Sequence, residues 1–177
     1  MPAGGPTPVV RAAEDSDAAG LVALVGSCFS EYEGCVLETE HEMPHLLRVA
    51  SHFADVGGRA WVAVVDGSVV DGSVVDGSVV GSVACRPAIG DGGVELQMLY
   101  VLGPWRRRGL GARFVGLVES EARRRGAKFV ELWSDTRFTD AHRLYRTLGY
   151  EQLPDVRELH DLSATREYRF ARPLEAS

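Results

Sequence analysis

The chain has 177 residues, 45% of them hydrophobic and 25% charged, an ordinary globular composition with enough length for one domain and a proper core. A net charge of −6 disfavours nonspecific nucleic-acid binding, and the longest apolar runs fall well short of the roughly 18 residues that a membrane-spanning helix needs. Cys28, Cys35 and Cys85 are widely spaced with no Cys-x-x-Cys pair, which argues against a disulfide framework or structural zinc and for reduced, packed thiols.

Residues 1–8 read as a flexible lead. Met1 to Pro6 contains no basic stretch followed by an apolar core, so a cytoplasmic protein is expected. Val9 to Ala12 reads as a strand, and Ser16 or Asp17 can cap a helix whose apolar stripe is Leu21, Leu24, Val25 and Cys28. Phe29 to Glu42 is mixed, with Glu31, Glu33, Glu38, Glu40 and Glu42 making it acidic. Helical spacing returns at His45, Leu46, Val49, Ala50 and Phe53 and stops before Gly57-Gly58, and Trp61 to Val65 is then a strand.

The pentapeptide Val-Val-Asp-Gly-Ser follows in three copies, at Val64–Ser68, Val69–Ser73 and Val74–Ser78. Each Asp-Gly is a hairpin-turn signal between β-branched pairs, yet a hairpin needs only one turn. A period of five is odd while strand side chains alternate with period two, so one continuous strand would flip its valines from face to face. The expectation for residues 66–82 is an expanded, protruding hairpin loop whose register is poorly determined. A solenoid is not expected, because such architectures need longer repeats.

After Val94 the pattern is strand, Arg/Gly loop, long helix, strand, short helix, strand. Leu110, Phe114, Leu117, Val118 and Ala122 form one helical stripe running to about Arg125 and stopping at Gly126. Gly103-Pro104-Trp105-Arg106-Arg107-Arg108-Gly109-Leu110-Gly111-Ala112 therefore sits at a helix N-terminus, where unpaired N–H groups and the helix dipole favour an anion. The loop lacks the Lys-Ser/Thr pair of a Walker A loop and the third glycine of a dinucleotide fingerprint. It reads as a pyrophosphate cradle, with a solvated turn as the plainer alternative. Thr139 or Asp140 caps the short helix, whose inner stripe is Ala141, Leu144, Tyr145 and Leu148 and which ends at Gly149. Arg157 to Leu162 reads as a loop, Glu167 to Arg172 as a last strand, and 173–177 as a tail.

Arg106-x-x-Gly109-x-Gly111, with a strand before it and a helix after it, resembles the Arg/Gln-x-x-Gly-x-Gly/Ala signature of the GNAT N-acetyltransferases. Ala141-x-x-Leu144-Tyr145-x-x-x-Gly149-Tyr150 is similar to the second signature of that family. The resemblance covers residues 9–172 as a single domain and is strongest over 94–150. It implies an α/β GNAT fold: a central mixed, mostly antiparallel sheet with splayed middle strands and helices on both faces. It further implies acetyl transfer from acetyl-CoA to a primary amine by direct attack, with no metal. Leu99, Tyr100 and Val101 would present main-chain groups to the pantetheine and thioester, while Arg106, Arg107, Arg108, Gly109, Leu110, Gly111 and Ala112 would form the cofactor loop. Where the family commonly carries an Asn seven residues before the helix tyrosine, this chain has Phe138, so that contact is not carried over.

Tyr145 matches the usual general acid of the family; a phenol with a reference pKa of about 10 stays protonated at neutral pH and can donate to a thiolate of pKa about 8.5. Glu95 and Glu131, on adjacent predicted strands, are the candidate bases, each with a salt-bridge partner as its plainer role. The acceptor expected is a small molecule or an amino-acid-like amine; the acidic stretch after Phe29 points to a cationic amine, with a solvated charged loop as the alternative, and His160, Asp161 and Asp135 are secondary candidates. A protein N-terminus or lysine is the alternative acceptor, and an acyl-CoA-binding sensor module the noncatalytic one. Homodimers are common in families of this kind. His41-Glu42-Met43-Pro44-His45 spells a zinc-binding string, but Pro44 disrupts the helix on which both histidines would have to sit.

Overall fold

The computed structural model describes residues 7–65, 68–70, 73–75, 78–90 and 92–175, of which 68–70 and 73–75 as backbone. In chain order the main elements are β1 (Val9–Ala12), α1 (Ala18–Phe29), α2 (Val49–Asp55), β2 (Arg59–Val65), β3 (Ser68–Val70), β4 (Ser73–Val75), β5 (Ser78–Pro87), β6 (Gly93–Val101), α3 (Leu110–Arg124), β7 (Phe129–Asp135), α4 (Thr139–Thr147), β8 (Glu151–Glu158) and β9 (Arg166–Pro173). A seven-stranded sheet runs β1-β2-β5-β6-β7-β9-β8, with β6 and β7 parallel and the other described pairs antiparallel.

Two apolar layers sandwich this sheet. The predicted stripe of α1 (Leu21, Leu24, Val25, Cys28) is buried with Leu46, Val49 and Phe53 against Val62, Val64 and Ala84. On the other face Leu110, Phe114, Val118 and Ala122 of α3 pack with Tyr145 on Ala63, Val65, Val83, Leu96, Leu132 and Phe170. Alternate residues of β2 and β5 thus enter opposite layers, which is why those strands read as unbroken apolar runs. Phe114 is fully buried, a contribution of about 2–3 kcal/mol.

The middle of the sheet splays. Parallel pairing of β6 with β7 ends at Leu96–Leu132; beyond it Gly81–Ser82 keep Tyr100 and Val101, while β7 continues along β9 with Asp135 opposite Glu167. At the same point β6 carries a bulge, with Met98 and Leu99 together facing Val83 and Met98 at φ 54°. Ser82 Oγ donates to the Met98 carbonyl at 2.8 Å and pins it.

The middle of the repeat departs from the main sheet, and the expected loop over 66–82 is corrected at its end, since Ser78 to Ser82 already run in β5 against β2. Val65 pairs with Ser78, while β3 and β4 form a separate antiparallel pair, with Val70 opposite Ser73. The three Asp-Gly turns, like residues 1–6 of the lead and 176–177 of the tail, lie outside the described residues. The reading of 157–162 as loop is corrected at its start: Arg157 and Glu158 end β8, an edge strand whose Pro154 and charged residues mask its strand character.

Candidate active site

A cleft of about 330 Å³ opens at the splay and runs to the N-terminus of α3. Leu99, Tyr100, Val101, Arg106, Arg107, Gly109, Gly111 and Ala112 line it, joined from the other side by Cys28, Tyr32, Phe138, Asp140, Ala141, Arg143 and Leu144. Gly109 caps α3 at φ 81°, a left-handed conformation that glycine adopts without strain, and Arg107 before it is also left-handed at φ 61°. A Cβ on Gly111 would come within 2.8 Å of Leu144, so this glycine lets α3 and α4 approach across the cleft.

The three arginines of the loop divide their work. Arg106 donates from Nε to the Val101 carbonyl at 2.7 Å and grips Glu31 through both terminal nitrogens at 2.6 and 2.8 Å, tying the end of β6 to the end of α1. Arg108 turns away over Trp105, 5.1 Å from the ring centre, and Leu110 is buried beneath the loop in the core. Arg107 is left exposed beside the helix N-terminus. Cys28, at the cleft wall, has its thiol pushed up by burial against the pull of Arg106.

Tyr145 rises from α4 beneath the lining, packed on Phe170 and Tyr150 with ring centres 5.5 and 6.2 Å away. Burial raises its hydroxyl well above the ordinary tyrosine value, so the group is a neutral donor at any physiological pH. Tyr145 is buried, and among the described residues its hydroxyl has no hydrogen-bond partner while no fully enclosed side-chain polar atom is left unpaired, so the hydroxyl keeps a trace of exposure. Tyr100 is raised in the same direction by burial first, then by the nearby Cys28, Tyr145, Glu167 and Asp135. His142, one turn before Tyr145, meets Ser134 Oγ at 3.1 Å and fastens α4 to β7.

Glu95 and Glu131 sit elsewhere than the cleft lining. They are cross-strand neighbours where β6 and β7 are still paired, and by alternation with Val94, Leu96, Val130 and Leu132 they face the α1/α2 side. Glu95 accepts from Arg86 at 3.0 and 3.1 Å and from Gln97 at 3.0 Å; Glu131 accepts from Arg169 at 2.5 and 2.9 Å. Asp135 is held by Arg137 through both carboxylate oxygens.

The acidic stretch is largely consumed by structure. Glu31 holds Arg106, Glu38 accepts the N–H groups of residues 40, 41 and 42, and Glu42 accepts the Leu162 N–H at 2.7 Å. Ser163 joins Val36 in the same seam, and Asp161 turns the β8–β9 loop by binding Thr165. His160 is exposed. Around Pro44 the chain forms a short 3-10 turn; His41 is exposed while His45 is half-buried against His52 and Phe53, so the two histidines share no helix face. Glu38, Glu40 and His41 offer ligand atoms within 4.8 Å of one another, but the Glu38 carboxylate already serves three backbone N–H groups.

The aromatic wall was all but hidden in the sequence. Phe138 stacks on Tyr32 at 4.8 Å and on Phe29 at 6.2 Å, bridging α1 to the loop before α4. A hint lay in the helical spacing Cys28–Tyr32, which carries the α1 stripe past its last turn.

Comparison with known proteins agrees with this geometry. The profile of the acetyltransferase (GNAT) family matches residues 19–150. Aminoalkylphosphonate N-acetyltransferase of Salmonella typhimurium is 41% identical over 58 residues, a match spanning 33% of this chain and 38% of the length of that protein. An acetyltransferase of the GNAT family from Staphylococcus aureus superposes with a TM-score of 0.73 at 15% identity, over 96% of this chain and 100% of the other. The yncA protein of Salmonella typhimurium, solved with its cofactor acetyl-CoA, has a TM-score of 0.65 at 16% identity, over 96% and 95%. At these identities the structural likeness speaks for the fold alone.

Proposed function

Because this chain belongs to the GNAT acetyltransferase family, we propose that it moves the acetyl group of acetyl-CoA onto the primary amine of a small, amino-acid-like molecule by direct attack. The observation that carries this reading is the single cleft that joins the Arg/Gly loop to the splay above Tyr145.

Acetyl-CoA brings an activated thioester and a diphosphate handle. The free N–H groups at the start of α3, with Gly109, Gly111 and Ala112 keeping the approach open and Arg107 adding charge, suit the diphosphate. Arg106 acts as the pillar that fixes the loop against α1, while Arg108 and Leu110 shape the loop from outside and below. Leu99, Tyr100 and Val101 border the splay on the side where β6 has left β7, so their backbone faces the pantetheine arm. Phe138 and Tyr32 wall the arm with aromatic surface. Tyr145, kept neutral by burial, donates to the departing thiolate. Glu95 and Glu131 hold Arg86 and Arg169 in place on the acceptor side.

A small acceptor is favoured by the local likeness to a protein whose name gives an aminoalkylphosphonate as substrate. The test offers acetyl-CoA with aminoalkylphosphonates, amino acids and polyamines on one side and peptides with free N-termini on the other, with acetylated products read by mass spectrometry. Product on a small amine is expected. Modification of peptides alone would overturn the small-molecule reading.

A further inference from the structure

We propose that Glu167 is the base that takes the proton from the acceptor's ammonium group, an inference that rests on the acetyl-transfer reading above. Like Glu95 and Glu131, Glu167 lies outside the cleft lining, but it stands on β9 opposite Asp135, one strand behind the open part of the splay and near enough to Tyr100 to help raise its hydroxyl, whereas Glu95 and Glu131 stand where β6 and β7 are still paired. Since Tyr168 and Phe170 turn toward α4, where His142 meets both, Glu167 faces the opposite side of the sheet from Tyr145. A base on one side of the sheet and an acid on the other suits direct attack on a thioester by an amine that arrives as an ammonium.

The carboxylates on this face differ in how they are held. Asp135 is gripped through both oxygens by Arg137, but Glu167 has one bond, from Arg157 Nε to Oε2 at 2.5 Å. Arg157 spends the rest of its guanidinium on the Trp133 ring, 4.4 Å below. Among the described residues Oε1 of Glu167 has no partner, and the side chain is 14% exposed, so this oxygen is not fully enclosed. The charges around it come from every neighbouring strand: Arg157 on β8, Asp135 with its Arg137 on β7 and the following loop, Glu95 with its Arg86 on β6 and β5, and Arg169 with Glu131 along β9 and β7. Burial, helped by Asp135 and Glu95, outweighs Arg157 and lifts the Glu167 carboxyl above the ordinary glutamate value, toward the range where a carboxylate accepts a proton from an ammonium more readily.

The proton count closes. One ammonium proton passes to Glu167; the nitrogen lone pair forms the C–N bond as the C–S bond breaks; the thiolate sulfur takes the Tyr145 proton; and the second nitrogen proton returns to the tyrosinate oxygen. One free proton leaves through Glu167 to solvent.

The test compares Glu167→Gln and Glu167→Asp with wild type, using 2-aminoethylphosphonate as acceptor, or the pooled primary amines above if that compound is silent. Glu167→Gln is expected to bind acetyl-CoA as wild type does and to lose about 10²-fold in kcat/KM near neutrality. The deficit should shrink as pH rises toward the amine's own pKa of about 10, where the acceptor arrives already neutral. Glu167→Asp should recover part of the rate at neutral pH. An unchanged rate in Glu167→Gln, a deficit equal at all pH values, or a loss matched by lost acetyl-CoA binding would overturn the assignment while acetyl transfer stands. A wild-type protein that releases no thiol with any amine would overturn both.

Discussion

At the scale of single residues, the site turns on what burial does to hydroxyls and carboxyls. Tyr145 is enclosed by Phe170 and Tyr150 and stays neutral, so it can give a proton but holds no charge that would repel a thiolate. Tyr145→Phe should lower kcat by about 10²-fold and leave acetyl-CoA affinity within a factor of about two, measured by steady-state kinetics and calorimetry; an unchanged kcat would remove Tyr145 from the mechanism. Glu121 shows the opposite shift. Hydrogen bonds first from Arg124, then from Arg125, with a further one from Arg59, outweigh burial and lower it from the ordinary 4.5 to about 2. A carboxyl whose folded value is depressed stabilises the fold above its unfolded value, and that contribution fades as pH falls from about 4.5 through about 2. Glu121→Gln should therefore cost about 1–2 kcal/mol at neutral pH in urea titrations, and the difference from wild type should narrow in that acidic window.

At the scale of elements, the sequence was most legible where local chemistry decides. The α3 stripe, its glycine start and the Arg/Gly loop are all within one stretch, and Leu110–Arg124 forms as the spacing requires. The reach of the loop was less legible: three adjacent arginines look alike in sequence, but Glu31 claims Arg106 and Trp105 claims Arg108, partners set by tertiary packing. Glu95 and Glu131 were visible as strand carboxylates, while their arginines come from β5 and β9 and could not be assigned from spacing. Glu167 gave no local signal at all, because its neighbours lie on three other strands. The repeat yields an element-scale prediction. Since Val65 pairs with Ser78, deleting Val69–Ser78 would leave Asp66-Gly67 as a two-residue turn with Ser68 in the place of Ser78. The shortened protein should fold and bind acetyl-CoA with unchanged affinity; loss of the folded state in thermal melts would show that the insertion supports the core.

At the scale of the whole molecule, the sheet separates two kinds of work. One face carries α3 and α4, with the Arg/Gly loop and Tyr145, and the other carries α1, α2 and a charged floor in which Glu95, Glu131, Asp135 and Glu167 each meet an arginine. The loop after α1 and the loop before β9 are stitched over this second face by Ser163, Glu42 and Arg137. The splay is the passage between the two sides, and it exists because β6 bulges at Met98 just where its pairing with β7 ends. Acetyl transfer is tested most directly by release of free thiol from acetyl-CoA by the purified protein, with and without added primary amines. Release that depends on the amine and saturates with it is expected; acetyl-CoA bound in the cleft with no release under any amine would contradict acetyl transfer and make the protein a binding module.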